Sequence, residues 1–217
     1  LLLDTLGVRD ASVVLCLLGL AAGGALLWVS DPSATRRVRW VAGLAVVAVA
    51  STAGASALYD GVWERLQFRR AYKGERFAHV LENKSGVITV RAGGEIYGGG
   101  VYDGVFSTSL IKDKNMILRA YALAGYHAAP KEVLMIGLSS GSWAQVIANV
   151  PGVERLTIVE INAGYLDIIP KYPAVASVLR NPKVNVVIDD GRRWLLAHPE
   201  RKFDAIVMNT SWHWRGH

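Results

Sequence analysis

Cysteine and metal-ligand clusters are nearly missing from this sequence. Cys16 is the only cysteine among 217 residues, so the chain can form neither an intramolecular disulfide nor a thiolate metal cluster. His79, His127 and His198 are scattered without metal-ligand spacing. We therefore predict no metal site.

Several motifs of common function classes are also lacking. The turn at residues 137–141 (Gly-Leu-Ser-Ser-Gly) does not have the G-x-S-x-G pattern, which argues against a Ser-His-Asp hydrolase. It is not G-x-G-x-x-G either, because Ser139 stands where the second glycine of a dinucleotide fold would lie. The net charge of +6 comes without a basic stripe interleaved with aromatic residues, so no nucleic-acid partner is expected.

Apolar residues are abundant, at 52% of the chain, and they are concentrated near the N-terminus. Residues 11–29 and 40–58 are nearly unbroken apolar runs, each close to the length that spans about 30 Å of hydrocarbon as a helix. A cleaved signal peptide does not fit two runs joined by a short Asp31-Pro32 turn with no A-x-A site. We predict a transmembrane helical hairpin; a hairpin buried in a soluble protein is the alternative.

Basic residues near the ends of these runs predict an orientation. The loop between the runs has Arg36, Arg37 and Arg39, and the opposite side has more basic residues. The C-terminal domain of this multi-pass membrane protein should therefore face the cytoplasm. Membrane lipid is an expected partner, since each basic residue gains about 1 kcal/mol beside anionic headgroups. The basic residues on the opposite side are Arg9, Arg65, Arg69, Arg70, Lys73 and Arg76.

Four segments follow from the pattern along the chain. Residues 1–59 are predicted as the two transmembrane helices, 60–76 as a juxtamembrane linker, and 77–130 as a small β domain plus a helix. Residues 131–217 are predicted as a truncated Rossmann-like cofactor-binding domain. The chain begins with Leu and stops shortly after its last predicted strand, so we expect a piece of a longer protein.

The two folded segments differ in their periodicity. Residues 77–110 alternate apolar and polar side chains between glycine turns, which predicts a small antiparallel β unit. Residues 115–128 have apolar residues at helical spacing, closed by Pro130. From residue 132 the chain alternates strands and helices, and apolar strands separated by helices are typical of a parallel sheet covered on both faces. The predicted strands are 133–136, 156–159, 184–188 and 205–208.

Polar residues and glycines follow the carboxyl ends of these strands, where such sheets bind ligands. Gly137 and Gly141 permit close approach of the backbone in the first turn, and the next helix offers free N–H groups. Glu160 is placed to accept hydrogen bonds from both ribose hydroxyls, and Asp190 from an adenine amino group. Together they predict an adenosine pocket with a small charged tail.

Each of these residues also has a purely structural interpretation. Gly141 can serve only to let a helix pack on a strand. Glu160 and Asp190 can serve only as caps of the helices that follow them. These alternatives stay open at this point.

The sequence resembles the spermidine synthases, or polyamine aminopropyltransferases, over roughly residues 77–212. The resemblance is carried by residues 101–104 (Val-Tyr-Asp-Gly), 133–141, 157–161 (Thr-Ile-Val-Glu-Ile) and 188–195 (Ile-Asp-Asp-Gly-Arg-Arg-Trp-Leu). It implies a Rossmann-like parallel sheet of the S-adenosylmethionine-dependent methyltransferase type. A small antiparallel β domain would precede this sheet, and the hairpin would be the end of a membrane-fused region.

The resemblance implies that decarboxylated S-adenosylmethionine donates an aminopropyl group to a small-molecule amine, putrescine in the family, releasing methylthioadenosine. By position, Glu160 would hold the ribose and Asp190 the adenine, and Gly191 would be a further cofactor-binding residue. Gly137 and Gly141 would line the sulfonium side, with Ser139 and Ser140 between them. A homodimer stays open.

Two family acids are replaced in this chain. Ser140 stands in place of the aspartate of the glycine turn, and Asn209 in place of the catalytic aspartate after the fourth strand. The family's Tyr-His-Glu is also not found near residues 117–119. An amide cannot act as a base, so His213 is a candidate general base, although its aromatic and basic surroundings also suit a packing segment.

Three functions therefore remain. The first is a spermidine synthase-like transferase that uses decarboxylated or ordinary S-adenosylmethionine. The second is a methyltransferase or another enzyme of sulfonium chemistry, which the loss of amine-binding acids favours. The third is a non-catalytic membrane protein that senses a nucleoside.

Overall fold

The structure, a computed structural model, describes residues 5–208. It divides into two compact units: Leu1–Arg76 with Glu82–Lys84, and Phe77–Leu81 with Ser85–His217. Asn209 and His213, the two candidate catalytic residues, lie outside the described residues.

The first unit is built on two long helices, α1 (Val8–Ser30) and α2 (Ala34–Tyr59), followed by the short helix α3 (Val62–Phe68). The two long helices pack closely where Gly24 faces Leu44, because a Cβ added to Gly24 would lie 3.2 Å from Leu44 Cδ1. Small residues favour this kind of approach between helices.

Large apolar side chains point away from the protein along both long helices. Leu18 is 60% exposed and Val29 is 82% exposed. By length and composition, both helices are apolar enough to cross a membrane. The two apolar helices that the sequence predicts are thus confirmed.

A four-stranded sheet opens the second part of the chain: β1 (His79–Asn83), β2 (Gly86–Val90), β3 (Glu95–Gly98) and β4 (Val101–Val105), in this order. The strands β2, β3 and β4 pair antiparallel, and the register between β3 and β4 shifts after Ile96. A β-bulge of this kind bends a strand and re-aims its side chains. The predicted small antiparallel β unit is confirmed.

The connection after this sheet differs from the single helix predicted for residues 115–128. Two four-residue helices lie there instead, α4 (Leu118–Tyr121) and α5 (Leu123–Tyr126). The carboxylate of Asp113 accepts from the backbone N–H of Ile117 at 2.8 Å and fixes the start of α4. Residues before Leu118 are therefore held in a turn rather than in a helix.

The second sheet is parallel, with strand order β7-β6-β5-β8. It confirms the Rossmann-like sheet that the four apolar runs predict. Its strands are β5 (Glu132–Ile136), β6 (Arg155–Glu160), β7 (Val184–Ile188) and β8 (Ala205–Met208). Between them lie α6 (Ser142–Ile147), α7 (Gly164–Ile168), α8 (Gly191–Ala197) and the 3₁₀ turns Ile169–Lys171 and Ala176–Arg180.

Side chains of the two central strands alternate between two apolar clusters. Met135 and Ile158 belong to the larger cluster, which includes residues of α6 and α7, whereas Leu134 and Val159 pack with Trp194 of α8. Burial on both faces explains why these strands read as continuous apolar runs. The outer strands depart from that expectation, since Ile188 of β7 is 44% exposed and Ile206 of β8 is 55% exposed.

Candidate functional site

A cleft of roughly 340 Å³ lies at the carboxyl ends of β5 and β6. The turn after β5 contributes Gly137 and Ser139, and the end of β6 contributes Glu160. The remaining lining residues come from the small sheet and from the start of α7: Ser85, Gly98, Gly99, Asp103, Ile161, Asn162 and Tyr165. Three of the predicted site residues are therefore brought together, with the small sheet forming one wall.

The turn after β5 has an unusual backbone. Gly137 has a φ of 89° and Gly141 a φ of 73°, a conformation that glycine adopts without strain. Ser139 also has a positive φ, 53°, which is uncommon for a residue with a Cβ. Its hydroxyl donates to the backbone carbonyl of Asp103, so the turn is tied to the small sheet.

Glu160 is the residue that organises this end of the sheet. Its Oε2 accepts from the backbone N–H of Leu138 at 2.6 Å and from that of Ser139 at 3.4 Å, and its Oε1 accepts from that of Asn162 at 2.8 Å. The residue is 4% exposed and still lines the cleft. Each carboxylate oxygen has two lone pairs, so Oε1, which accepts one hydrogen bond within the protein, can accept a further one from a ligand.

Asp103 is a second carboxylate in the same cleft. It lies on β4, and its Oδ2 accepts a hydrogen bond from the hydroxyl of Tyr165 on α7. Tyr165 fits against the small sheet because Gly98 leaves room for it: a Cβ on Gly98 would lie 2.6 Å from the tyrosine hydroxyl. The pair therefore forms the floor of the cleft where the small sheet meets the parallel sheet.

Burial is the main cause of the raised pKa values at the floor of the cleft. It raises the pKa of Asp103 to about 6, and the negative charge of Glu160 adds to the rise. Burial raises the pKa of Tyr165 as well, so its hydroxyl stays a donor. Two carboxylates in one small cleft favour a ligand that carries positive charge.

Ser140 faces a different environment. Its hydroxyl lies 3.0 Å from the hydroxyl of Ser142 and 3.5 Å from Nδ2 of Asn115, and the residue is 2% exposed. The hydroxyl of Ser142 in turn donates to the carbonyl of Val105 at 2.7 Å. This buried network joins the turn to the small sheet, and Ser140 is not among the residues that line the cleft.

The other predicted site residues also have structural contacts away from the lining of the cleft. A Cβ on Gly141 would lie 3.1 Å from Ile169, and one on Gly191 would lie 2.8 Å from Ile136. Asp190 caps α8, with Oδ1 accepting from the backbone N–H groups of Arg192 and Arg193 at 2.9 and 3.0 Å. These hydrogen bonds lower the pKa of Asp190. Its assignment to adenine remains a prediction.

Asp103 and Tyr165 are the site residues that sequence reasoning missed. Asp103 falls within the Val-Tyr-Asp-Gly motif that carries the family resemblance, so the motif was a signal for it. Tyr165 had no such signal, because its partner lies 62 positions away in the chain. Within residues 5–208, no group of three or more His, Cys, Asp and Glu side chains is placed to hold a metal ion.

Known proteins similar to this chain are polyamine aminopropyltransferases and spermidine synthases. A family model for the spermine/spermidine synthase domain matches residues 115–212. The polyamine aminopropyltransferase of Desulforudis audaxviator is 30% identical over 115 residues, which are 51% of this chain and 41% of that protein. Spermidine synthase 1 of Pisum sativum is 35% identical over 83 residues, which are 38% of this chain and 25% of that protein. The chain thus spans less than half the length of these curated relatives.

Solved structures show the same fold. A crystal structure of a spermidine synthase in complex with the transition-state analogue AdoDATO superposes with a TM-score of 0.53 at 21% identity, covering 65% of this chain and 48% of that chain. The spermidine synthase of Thermotoga maritima gives a TM-score of 0.52 at 21% identity, covering 63% of this chain and 47% of that one. Over the part that it shares with these proteins, the chain is therefore similar to the spermidine synthase, or polyamine aminopropyltransferase, family.

Proposed function

We propose that the cleft binds decarboxylated S-adenosylmethionine, and that the protein transfers its aminopropyl group to a small-molecule amine. One observation carries this proposal: the carboxylate of Glu160 lies in the cleft and at the same time holds the glycine turn. An acid at this position accepts hydrogen bonds from ribose hydroxyls. We assign the sulfonium side of the ligand to the turn beside it, which contributes Gly137 and Ser139 to the cleft.

The transfer we propose is a displacement at carbon. The amine nitrogen of the acceptor bonds to the aminopropyl carbon, the carbon–sulfur bond breaks, and its electron pair leaves with methylthioadenosine. The attacking nitrogen must then lose a proton. We assign that proton to an imidazole nitrogen of His213, and to Asn209 only the acceptance of a hydrogen bond, because an amide is not a base.

A second candidate, methyl transfer from ordinary S-adenosylmethionine, is favoured by Ser140, which stands where the family has an acid. The charge of the cleft argues against it. Ordinary S-adenosylmethionine has a tail carboxylate, and the cleft already contains those of Asp103 and Glu160. Of the described residues that line the cleft, none is Lys, Arg or His. A third carboxylate would meet repulsion with no cation to offset it.

The membrane location belongs to the same proposal. We propose that α1 and α2 cross the membrane and that the cofactor-binding domain faces the cytoplasm, with basic residues against anionic lipid. Its support is the length and exposure of the apolar helices. We also propose a homodimer, on the basis of the family resemblance.

Calorimetric titration of the full chain in detergent tests the proposed ligand. We expect binding of decarboxylated S-adenosylmethionine and methylthioadenosine, and loss of both in Glu160→Gln. That variant keeps the side-chain volume but loses the charge that holds three backbone N–H groups. Glu200→Gln, at an exposed position, is the matched control and should bind as the wild type does. An unchanged affinity in Glu160→Gln would contradict the assignment.

A further inference from the structure

We propose that Asp103 is the subsite for the cationic tail of the ligand, and that it makes the cleft select a sulfonium nucleoside whose tail has an ammonium group and no carboxylate. This inference rests on the proposed function, since it assigns the tail of a ligand whose adenosine is held by Glu160. It gives Asp103 the role of a specificity-determining residue.

The position of the two carboxylates is the first argument. Both line one cleft, with Glu160 at the end of a strand of the parallel sheet and Asp103 on a strand of the small sheet. A ligand whose ribose contacts Glu160 therefore has the carboxylate of Asp103 within the same cleft. The cleft volume of roughly 340 Å³ suits a ligand of nucleoside size.

The lack of a resident cation is the second argument. Among residues 5–208, neither Asp103 nor Glu160 has an ion-pair partner. The tyrosine hydroxyl that contacts Asp103 is neutral, so it supplies a hydrogen bond without balancing the charge. A half-buried carboxylate without a counter-ion is stabilised by a cationic ligand, and an ammonium group also donates hydrogen bonds to it.

The third argument is that the hydroxyl of Ser140 is buried and already hydrogen-bonded within the protein. Its hydroxyl is engaged with Ser142 and Asn115 in a buried network, and it does not line the cleft. Residue 140 therefore offers neither charge nor access to a tail, whereas Asp103 offers both. Asp103 is therefore the carboxylate available to a tail where residue 140 is a serine.

The titration of Asp103 gives the proposal a pH dependence. The titratable groups that face it in the cleft are Tyr165 and Glu160, and the neighbouring hydroxyl is that of Ser139. Because the pKa of Asp103 is about 6, a cationic tail should bind more tightly as the pH rises through 6 and Asp103 ionises. Neutral methylthioadenosine should show no such gain from Asp103.

Three ligands separate this subsite from the adenosine site when they are titrated into the full chain in detergent. We expect Asp103→Asn to weaken decarboxylated S-adenosylmethionine about tenfold or more at pH 7.5, and to leave methylthioadenosine within about twofold. Ordinary S-adenosylmethionine should gain relative to the decarboxylated form, because one repulsive charge is removed. Between pH 5 and 7.5 the decarboxylated ligand should gain affinity in the wild type and not in the variant.

Two controls keep the outcome clear. Asp167→Asn removes an exposed carboxylate of α7 outside the cleft, and it should change none of the three affinities. Tyr165→Phe removes the hydrogen bond that lowers the pKa of Asp103, so the gain in affinity for the decarboxylated tail should move to higher pH.

Different failures have different meanings. If the wild type binds methylthioadenosine and Asp103→Asn weakens all three ligands equally, Asp103 is only structural and the inference is wrong. The inference is also wrong if the variant keeps the full preference for the decarboxylated tail. If the wild type binds none of the three ligands, the proposed function itself fails, and the tail subsite fails with it.

Discussion

The backbone N–H of Leu138 donates a 2.6 Å hydrogen bond to Oε2 of Glu160. The acid that ends one strand thereby holds the turn that follows the neighbouring strand. A single side chain shapes the cleft and lines it, so its contributions to folding and to ligand binding must be measured separately.

Replacing Glu160 by alanine should destabilise the protein even without ligand. The backbone N–H groups of Leu138, Ser139 and Asn162 would lose their acceptor in a buried place. We expect a loss of about 2–4 kcal/mol in the free energy of unfolding. Urea unfolding followed by tryptophan fluorescence measures it, with Glu200→Ala as a matched control that should change by less than about 0.5 kcal/mol. Equal stability of the two variants would contradict the role of Glu160 in the turn.

The stability of the protein should depend on pH through Asp103. Its folded-state pKa of about 6 is above the ordinary 3.8, so its contribution to stability is present below pH 4 and is lost as the pH rises through 6. The shift corresponds to about 3 kcal/mol. Asp103→Asn does not titrate, and its stability relative to the wild type should therefore rise by up to this amount between pH 4 and 7.5. Thermal unfolding at a series of pH values would show a flat difference if Asp103 were not desolvated.

Restoring an acid at Ser140 should fail to restore a ligand site. Its hydroxyl is buried in a network with Ser142 and Asn115, and a carboxylate there would lie in a place without a cation. We expect Ser140→Asp to lose about 3 kcal/mol or more in the free energy of unfolding. Ser109→Asp, at an exposed position, should be nearly neutral. If Ser140→Asp were stable and bound the decarboxylated ligand more tightly, the cleft would extend to residue 140.

Two glycine-to-alanine changes should have opposite effects. A Cβ on Gly191 would lie 2.8 Å from Ile136, whereas one on Gly125 in α5 meets nothing within 4 Å. Gly191→Ala should cost about 1–3 kcal/mol through overpacking. Gly125→Ala should be neutral or stabilising by up to about 1 kcal/mol, because alanine loses less backbone entropy in a helix. Melting temperatures of the two variants provide the comparison, and a stable Gly191→Ala would mean that α8 can shift away from β5.

A charge within the first apolar helix tests the membrane hairpin. Leu18 is 60% exposed in α1, and lysine at the centre of a membrane helix costs about 2.5–3.5 kcal/mol. Leu18→Lys should therefore reduce the inserted fraction in a glycosylation-based insertion assay. Leu196→Lys, on the 82% exposed Leu196 of α8, should leave insertion unchanged. Equal insertion of both variants and the wild type would favour a hairpin that lies outside the bilayer.

The sequence predicts best those elements whose successive residues are all in similar surroundings, such as a strand buried on both faces. Strands β5 and β6 are mostly apolar because both faces are covered, and this leaves a clear pattern in the sequence. The helix predicted at residues 115–128 begins later, at Leu118, and is divided in two. Its start differs because Asp113 holds the residues before α4 in a turn, a local contact that apolar spacing does not reveal.

The candidate site was also predictable only in part. Glu160 is predicted from the order of the strands and lines the cleft, and its contact with the ribose stays a prediction. Asp103 comes to the cleft only through the packing of the small sheet on the parallel sheet, which no local pattern encodes. Ser140 is adjacent in sequence to lining residues and yet points into a closed network. Sequence order thus predicted the strand ends, but not which side chains turn inward.

The strand order β7-β6-β5-β8 also determines when each strand can find its neighbours during synthesis. The central strand β5 can pair with β6 early, but its second neighbour begins only at Ala205. Until β8 has been synthesised, the apolar edge of β5 is open to pairing with other chains. A nascent chain that stalls before Ala205 should therefore aggregate more readily than a chain in which β8 has paired with β5.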